Sequence, residues 1–195
     1  KAGSDHLVRS WYETYNLPSI ITNCSNNYGP YQYPEKLIPL IITNCIDEKK
    51  LPIYGDGENI RDWIFVNDHC RAINKVIDIG KAGNKYVIGG NNEVKNLDIV
   101  RKICSIFDKI RPRSNKLRYK DLIIFVKDRP GHDFRYAVNA SKIQNELNWK
   151  PRQFFDKGLE LTIKWYLQNE SWWRKIQKTI PIKEKLGLIK SKNVK

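Results

Sequence analysis

The sequence contains no methionine, not even at position 1, and its first residues already read as helix with no strand before them. A translation product starts with methionine, so the expectation is a longer protein whose N-terminal part precedes Lys1. No Gly-x-x-Gly-x-x-Gly run follows a strand anywhere in the 195 residues, so a glycine cradle for a dinucleotide pyrophosphate is not expected within them. No apolar run approaches the length of a spanning helix; the longest, residues 37–42, is broken by Pro39. The opening Lys1-Ala2-Gly3-Ser4-Asp5-His6 is polar and unlike a signal peptide. Together these features predict a cytoplasmic protein that does not engage a membrane. Cysteine is sparse: Cys24, Cys45, Cys70 and Cys104 show no CxxC spacing, and the histidines do not cluster. Metal ligation and disulfides are therefore not expected, and the thiols read as small buried hydrophobes in a reducing compartment.

What the chain has in excess is positive charge, a formal +14. A basic surface can attract nucleic acid or another polyanion. About half of the excess, however, lies in residues 174–195, where Glu184 is the single acid. That segment reads as a solvated, poorly ordered extension, and nucleic-acid binding is the minor alternative. The composition as a whole, 41% hydrophobic and 29% charged, is that of an ordinary globular chain.

Periodicity supplies the rest of the architecture. Residues 2–15 read as a helix with Leu7, Trp11 and Tyr15 on one face, stopped by Asn16-Leu17-Pro18. Residues 19–24 are short, β-branched and apolar, as in a buried parallel strand. An Asn-, Tyr-, Gly- and Pro-rich loop over 25–34 follows, then a helix over 36–49. A strand over 51–54, the turn Gly55-Asp56-Gly57 and a second strand near Ile60, Trp63 and Phe65 have a hairpin's pattern. Helix over 67–79, strand over 85–88, helix over 96–110 and strand over 122–126 come next. Ser141 with Gln144 reads as a capping box, and Leu159, Ile163, Tyr166 and Leu167 mark a last amphipathic helix. Strands that alternate with helices predict an α/β fold.

Four segments stand out. Residues 23–39 (Asn-Cys-Ser-Asn-Asn-Tyr-Gly-Pro at their start) follow a buried strand directly, where open α/β sheets bind ligands. Asn26 and Asn27 there offer donors and acceptors together, and Lys36 a point charge, although a plain polar turn would look the same. Residues 53–63 place Arg61 between a glycine turn and Trp63, which suits bidentate capture of a diphosphate or, equally, a surface hairpin with an Arg–Asp pair. Asn96 opens a helix and on its own reads as an N-cap. Residues 128–136 pack Asp128, Arg129, His132, Asp133 and Arg135 together, as in an anion site or a salt-bridged loop.

Taken together, in this order and at this spacing, the segments resemble the dTDP-glucose 4,6-dehydratase family of the extended short-chain dehydrogenase/reductase superfamily, from Lys1 to about Leu167. The run 55–62 is shared with epimerases of that superfamily. Asn-Cys-Ser-Asn-Asn-Tyr-Gly-Pro and Asp-Arg-Pro-Gly-His-Asp are closer to the dehydratases, with Phe134 a small departure. The resemblance implies the C-terminal part of an extended Rossmann-type, doubly wound α/β fold plus a smaller α/β substrate domain. Residues 1–30 would be the remnant of the cofactor domain, 31–170 the sugar-nucleotide domain and 171–195 the basic tail. It implies NAD as cofactor, a dTDP-sugar as substrate and a homodimer through the helix over 1–15. Lys1 would be the catalytic lysine, touching the nicotinamide ribose and lowering the pKa of a tyrosine four residues upstream. Asn27 would contact the cofactor and Asn26 the substrate. Lys36 and Leu37 would flank the nucleotide-sugar, Pro52, Ile53 and Tyr54 would lie along the thymine nucleoside, and Arg61 would bind the diphosphate. Asn96 with Asp128, Arg129, Pro130, Gly131 and His132 would close the far side. The tyrosine, the acidic pair and the glycine-rich loop of that family are not among these residues, so the chain alone is expected to be inactive. The alternatives are another nucleotide-sugar epimerase or dehydratase, or a non-catalytic nucleotide-binding remnant.

Overall fold

The expected alternation of short apolar strands with amphipathic helices is realised in the computed structural model, which describes residues 1–179. In chain order the elements are α1 (Ala2–Tyr15), β1 (Ile21–Cys24), β2 (Asn26–Tyr28), α2 (Leu37–Ile46), β3 (Leu51–Tyr54), β4 (Ile60–Phe65), α3 (Val66–Ile79) and β5 (Lys85–Ile88). They continue with β6 (Glu93–Lys95), α4 (Asn96–Ile110), a single 3-10 turn (Tyr119–Leu122), β7 (Ile123–Val126), β8 (Arg135–Tyr136), α5 (Ser141–Leu147), α6 (Phe155–Gln168) and α7 (Glu170–Thr179).

Helix α4 shows how pattern becomes packing. Leu97, Val100, Ile103, Cys104 and Phe107 recur at helical spacing and are all buried. Asp98 in the first turn and Lys109 in the last complement the helix dipole. This face joins Ile38, Ile41 and Ile42 of α2, Leu159, Ile163 and Tyr166 of α6, and Tyr28 and Trp63 of β2 and β4 in the main core. Each such aliphatic side chain contributes about 1.5–3 kcal/mol by leaving water. A second core gathers Ala72 and Val76 of α3, Tyr86 and Ile88 of β5, Ile143 and Leu147 of α5, and Trp149. Cys24 of β1 packs against that second core, and Tyr28 of β2 lies in the main one, so the chain crosses between the two cores more than once.

The strands form three small sheets. β1 and β5 pair in parallel, β3 and β7 pair in parallel, and β4 pairs with β2 and β8 in parallel and with β6 antiparallel. The expected hairpin between β3 and β4 is therefore absent: Tyr54 lies opposite Val126 instead. The turn between them is tightened by Gly57 at φ 77°, where a Cβ would come within 2.8 Å of Ile53 and 2.9 Å of Leu97. That close approach seats the start of α4 on the turn and steers β4 away from β3.

Other expectations also give way to the structure. Residues 26–28 of the predicted loop are strand β2, aligned with Trp63, Ile64 and Phe65. Strand β6 was hidden by its charged ends, Glu93 and Lys95, and exists by pairing with β4. Asn96 is the first helical residue of α4 and Lys95 the capping position, so the N-cap reading of Asn96 fails. The Ser141–Gln144 capping box does not form; Asn139 Oδ1 accepts the Ser141 N–H at 2.8 Å, because an Asx turn already satisfies that helix end. Cys70 is exposed rather than buried, although all four cysteines are free thiols. The extension expected to be poorly ordered from residue 171 begins instead with α7. Trp173 there is fully buried and donates its Nε1–H to Tyr166 O at 2.9 Å, and Arg174 reaches Asp47 at 2.9 Å. The remaining part of that expectation, residues 180–195, lies outside the described residues. No helix among the described residues is long and apolar enough to cross a membrane.

Candidate functional site

Strand β4 organises the site. Its register sets Asn26 opposite Trp63 and Arg61 opposite both Val94 of β6 and Tyr136 of β8. Side chains alternate along a strand at roughly 3.3 Å per residue, so Arg61, Trp63 and Asn26 share one face and Asn27 faces the other. Asn26 and Asn27, neighbours in sequence, are thereby aimed at different sides of the sheet.

Arg61 is buried, at 7% exposure. Its guanidinium donates to Asp133 O at 2.6 Å, Ile60 O at 2.7 Å and Phe134 O at 3.4 Å. Asn59 reinforces the contact, its Nδ2 donating to Asp133 O at 3.2 Å. Burial and the charge of Arg129 hold the guanidinium below its ordinary proton affinity, against the pull of Asp133 and Asp128. A buried cation beside the exposed Arg129 forms a locus that an anion stabilises. The expected Arg–Asp pair does not occur, because Arg61 grips backbone carbonyls while Asp62 turns the opposite way. Asp62, 1% exposed, accepts from Gly90 N at 3.0 Å and Asn92 N at 2.7 Å and so fixes the loop into β6.

The segment 128–136 comes over this site from β7. His132 Nδ1 is 2.7 Å from Asp128 Oδ1, and its ring stands edge-on to Tyr54 with centroids 6.3 Å apart. That hydrogen bond, the first among several causes, holds the Asp128 carboxyl below the usual carboxylate range. Asn96 enters from the start of α4, its N–H donating to Asn59 O at 3.0 Å. Its side-chain Oδ1 is buried without a hydrogen-bond partner among the described residues, as is the indole Nε1 of Trp63. The structure thus brings together Tyr54, Arg61, Asn96, Asp128 and His132, with Arg129 close by in charge and Pro130 and Gly131 on the connecting turn. In β3 Ile53 points inward into the main core, while Pro52 is half-buried on the face it shares with Tyr54.

Four candidates sit apart from that cluster. Lys36 precedes α2 and pairs with Glu35 at 2.8 Å, while Leu37 packs on the main core. Lys1 precedes α1 and is exposed; among the described residues no hydrogen bond or ion pair joins its side chain to the other candidates. Asn27 lies at the junction of β1 and β2, where its Nδ2 donates to Ser25 O at 3.2 Å and Cys24 Sγ at 3.3 Å. Its Oδ1 lies 2.8 Å from His69 Nδ1, and because an amide oxygen only accepts, the imidazole carries its proton there. Burial pushes the His69 pKa down.

Sequence reasoning missed His69, Asp62, Asn59 and Trp63. One signal for Asp62 was available: an acid in the middle of the apolar run of β4 has to be buried and partnered. His69 carried no such mark, since its partner is 42 residues away.

Parallel strand pairs beside helices, together with an α/β unit that gathers polar loops around a buried arginine, form part of an extended short-chain dehydrogenase/reductase fold. The chain belongs to the GDP-mannose 4,6 dehydratase family, whose model matches residues 1–162. It is 53% identical over 189 residues to dTDP-glucose 4,6-dehydratase of Neisseria meningitidis, covering 96% of this chain and 53% of that protein. Among solved structures it resembles dTDP-glucose 4,6-dehydratase of Bacillus anthracis in complex with NAD, at TM-score 0.81 and 49% identity over 91% of this chain and 53% of that one. The dTDP-glucose 4,6-dehydratase of Streptomyces venezuelae with NAD bound gives TM-score 0.83 at 42% identity, over 91% of this chain and 52% of that one. The chain spans about half the length of the relatives it matches.

Proposed function

We propose that this chain carries the nucleotide-sugar side of an NAD-dependent dTDP-glucose 4,6-dehydratase, the reaction that removes water to give dTDP-4-keto-6-deoxyglucose. The observation that carries the reading is the convergence of Arg61, Asn96, Tyr54 and the segment 128–133 from four elements around a buried guanidinium. Three carbonyls pin Arg61, and a guanidinium has five N–H donors, so some are left for a diphosphate. Tyr54 and His132 form an aromatic edge against which a base could stack, and the unpartnered Asn96 Oδ1 and Trp63 Nε1 suit hydroxyl and carbonyl groups of a ligand. Asn26, on the same face of the β4 sheet as Arg61, takes the sugar end, and Lys36 and Leu37 at the start of α2 flank the nucleotide-sugar.

The cofactor side fits only in part. Asn27, held in one orientation by His69 and Ser25, and the buried, unpartnered Ser25 Oγ offer groups to a nicotinamide end, and Lys1 would act on its ribose. When bound, NAD accepts a hydride from the sugar and returns it. The chain's residues orient the sugar and hold the diphosphate, and they contain no phosphate cradle for the dinucleotide. The proposal includes a cytoplasmic location, in keeping with four free thiols, and a homodimer through α1, whose Leu7, Trp11 and Tyr15 are exposed.

Calorimetric titration of the chain with dTDP, UDP and NAD tests the reading. Saturable binding of dTDP, weaker binding of UDP and negligible binding of NAD are expected. Preference for UDP would move the chain to an epimerase-like specificity, and tight NAD binding would show the site to be wrongly placed.

A further inference from the structure

The loop between β2 and α2 is held from an unexpected direction. Tyr31, in the left-handed region at φ 63°, lies tilted against Trp165 of α6 and edge-on to Trp172 of α7, with ring centroids 4.7 Å and 5.4 Å apart. Trp165 and Trp172 are themselves in edge contact at 5.1 Å. One residue on, Gln32 O accepts a hydrogen bond from the Tyr166 hydroxyl, and Gln32 Nε2 donates to Asn27 O at 2.8 Å. Tyr166 is fully buried, and its own carbonyl accepts from Trp173 Nε1 at 2.9 Å. Helix α7 is in turn fastened to α2 by Arg174 and Asp47. A continuous line of contacts therefore runs from Trp173 through Tyr166 and Gln32 to Asn27. Each aromatic residue of this line on α6 and α7 lies beyond the residues 1–162 that the family model matches.

We infer that α6 and α7 act as a clamp in which Tyr166 is a positioning residue, fixing the loop that runs from β2, the strand of Asn27, to Lys36 in the shape the ligand requires. The inference rests on the reading of Asn26, Asn27 and Lys36 as ligand-facing groups. Its physical basis is simple. A loop whose central residue has a left-handed backbone is costly to hold, and a free loop would pay for ordering each time the ligand bound. Two ring contacts and two hydrogen bonds made in advance remove that penalty. Burial keeps the Tyr166 phenol protonated, so it donates at any working pH.

The test uses the full chain and two variants, Tyr166→Phe, which deletes only the hydroxyl, and Trp172→Leu, which removes the ring that meets Tyr31 edge-on from α7. Amide hydrogen exchange is read across residues 27–36 and across α6, and dTDP affinity by calorimetry. Exchange in 27–36 should quicken roughly five- to tenfold in either variant while α6 stays protected, with dTDP affinity falling by a similar factor. A purely structural role would instead lower protection throughout α6 and the core, or leave the loop unchanged, and either result overturns the clamp. A loosened loop with unchanged dTDP affinity overturns the positioning role. Absence of dTDP binding by the unaltered chain would count against the functional reading itself, and the exchange data would then judge the clamp alone.

Discussion

Asp62 and His69 show how single side chains set the site without touching it. Both oxygens of Asp62 accept main-chain N–H groups, from Gly90 and Asn92, and its surroundings are dry. Asp62→Asn turns an N–H towards one of those donors, so we expect a loss of about 2–3 kcal/mol in urea unfolding, with the 89–92 loop loosened; an unchanged midpoint would show that the loop is held elsewhere. His69 gives a pH dependence whose sign follows from its burial. Its folded pKa lies below the ordinary 6.5, so the unfolded chain takes up the proton first. Stability from this group is full above that value and declines as pH falls through it. The melting temperature should therefore drop between pH 7.5 and 5.5 more in the unaltered chain than in His69→Gln, which retains a donor for Asn27. Equal pH slopes in the two proteins would remove His69 from the account. The chemistry-bearing residues named from sequence, such as Arg61 and Asn96, were legible because charge and amide groups at strand ends declare themselves. Asp62 and His69 were not, because their roles depend on partners 28 and 42 residues away.

At the scale of elements, α7 is the main revision. Its charge reads as a solvated tail, yet Trp173 is fully buried in the main core. A chain ending at residue 169 loses that side chain and should unfold about 3–5 kcal/mol more easily, as for other deletions of a large buried aromatic. A chain ending at residue 179 keeps Trp173 and should be the more stable of the two shortened chains by that margin. Equal urea midpoints for the two shortened chains would contradict the packing of α7. The long periodic helices were readable; residues 96–110 were predicted as one helix and form one. The strands of four residues were readable too, but the shortest ones were not. β2 and β6 are three residues each and lack any apolar alternation, so they exist only because β4 offers them hydrogen bonds. The misplaced hairpin has the same origin: β3 finds β7, some seventy residues on, and no local turn signal announces that partner.

At the scale of the molecule, the central claim is that the chain holds a nucleotide diphosphate site built around Arg61, independent of any cradle for NAD. The chain's net charge of +14 attracts anions in general, so affinity alone is weak support and the variant series decides. The most direct measurement is calorimetric titration with dTDP of the unaltered chain, Arg61→Ala and Arg61→Lys at one fixed salt concentration. Arg61→Ala should weaken binding by about 2–4 kcal/mol, because a charge-assisted contact in a largely dry site is lost. Arg61→Lys should recover only part of it, since an ammonium cannot reproduce the planar fork. Equal affinity in all three proteins would contradict the account.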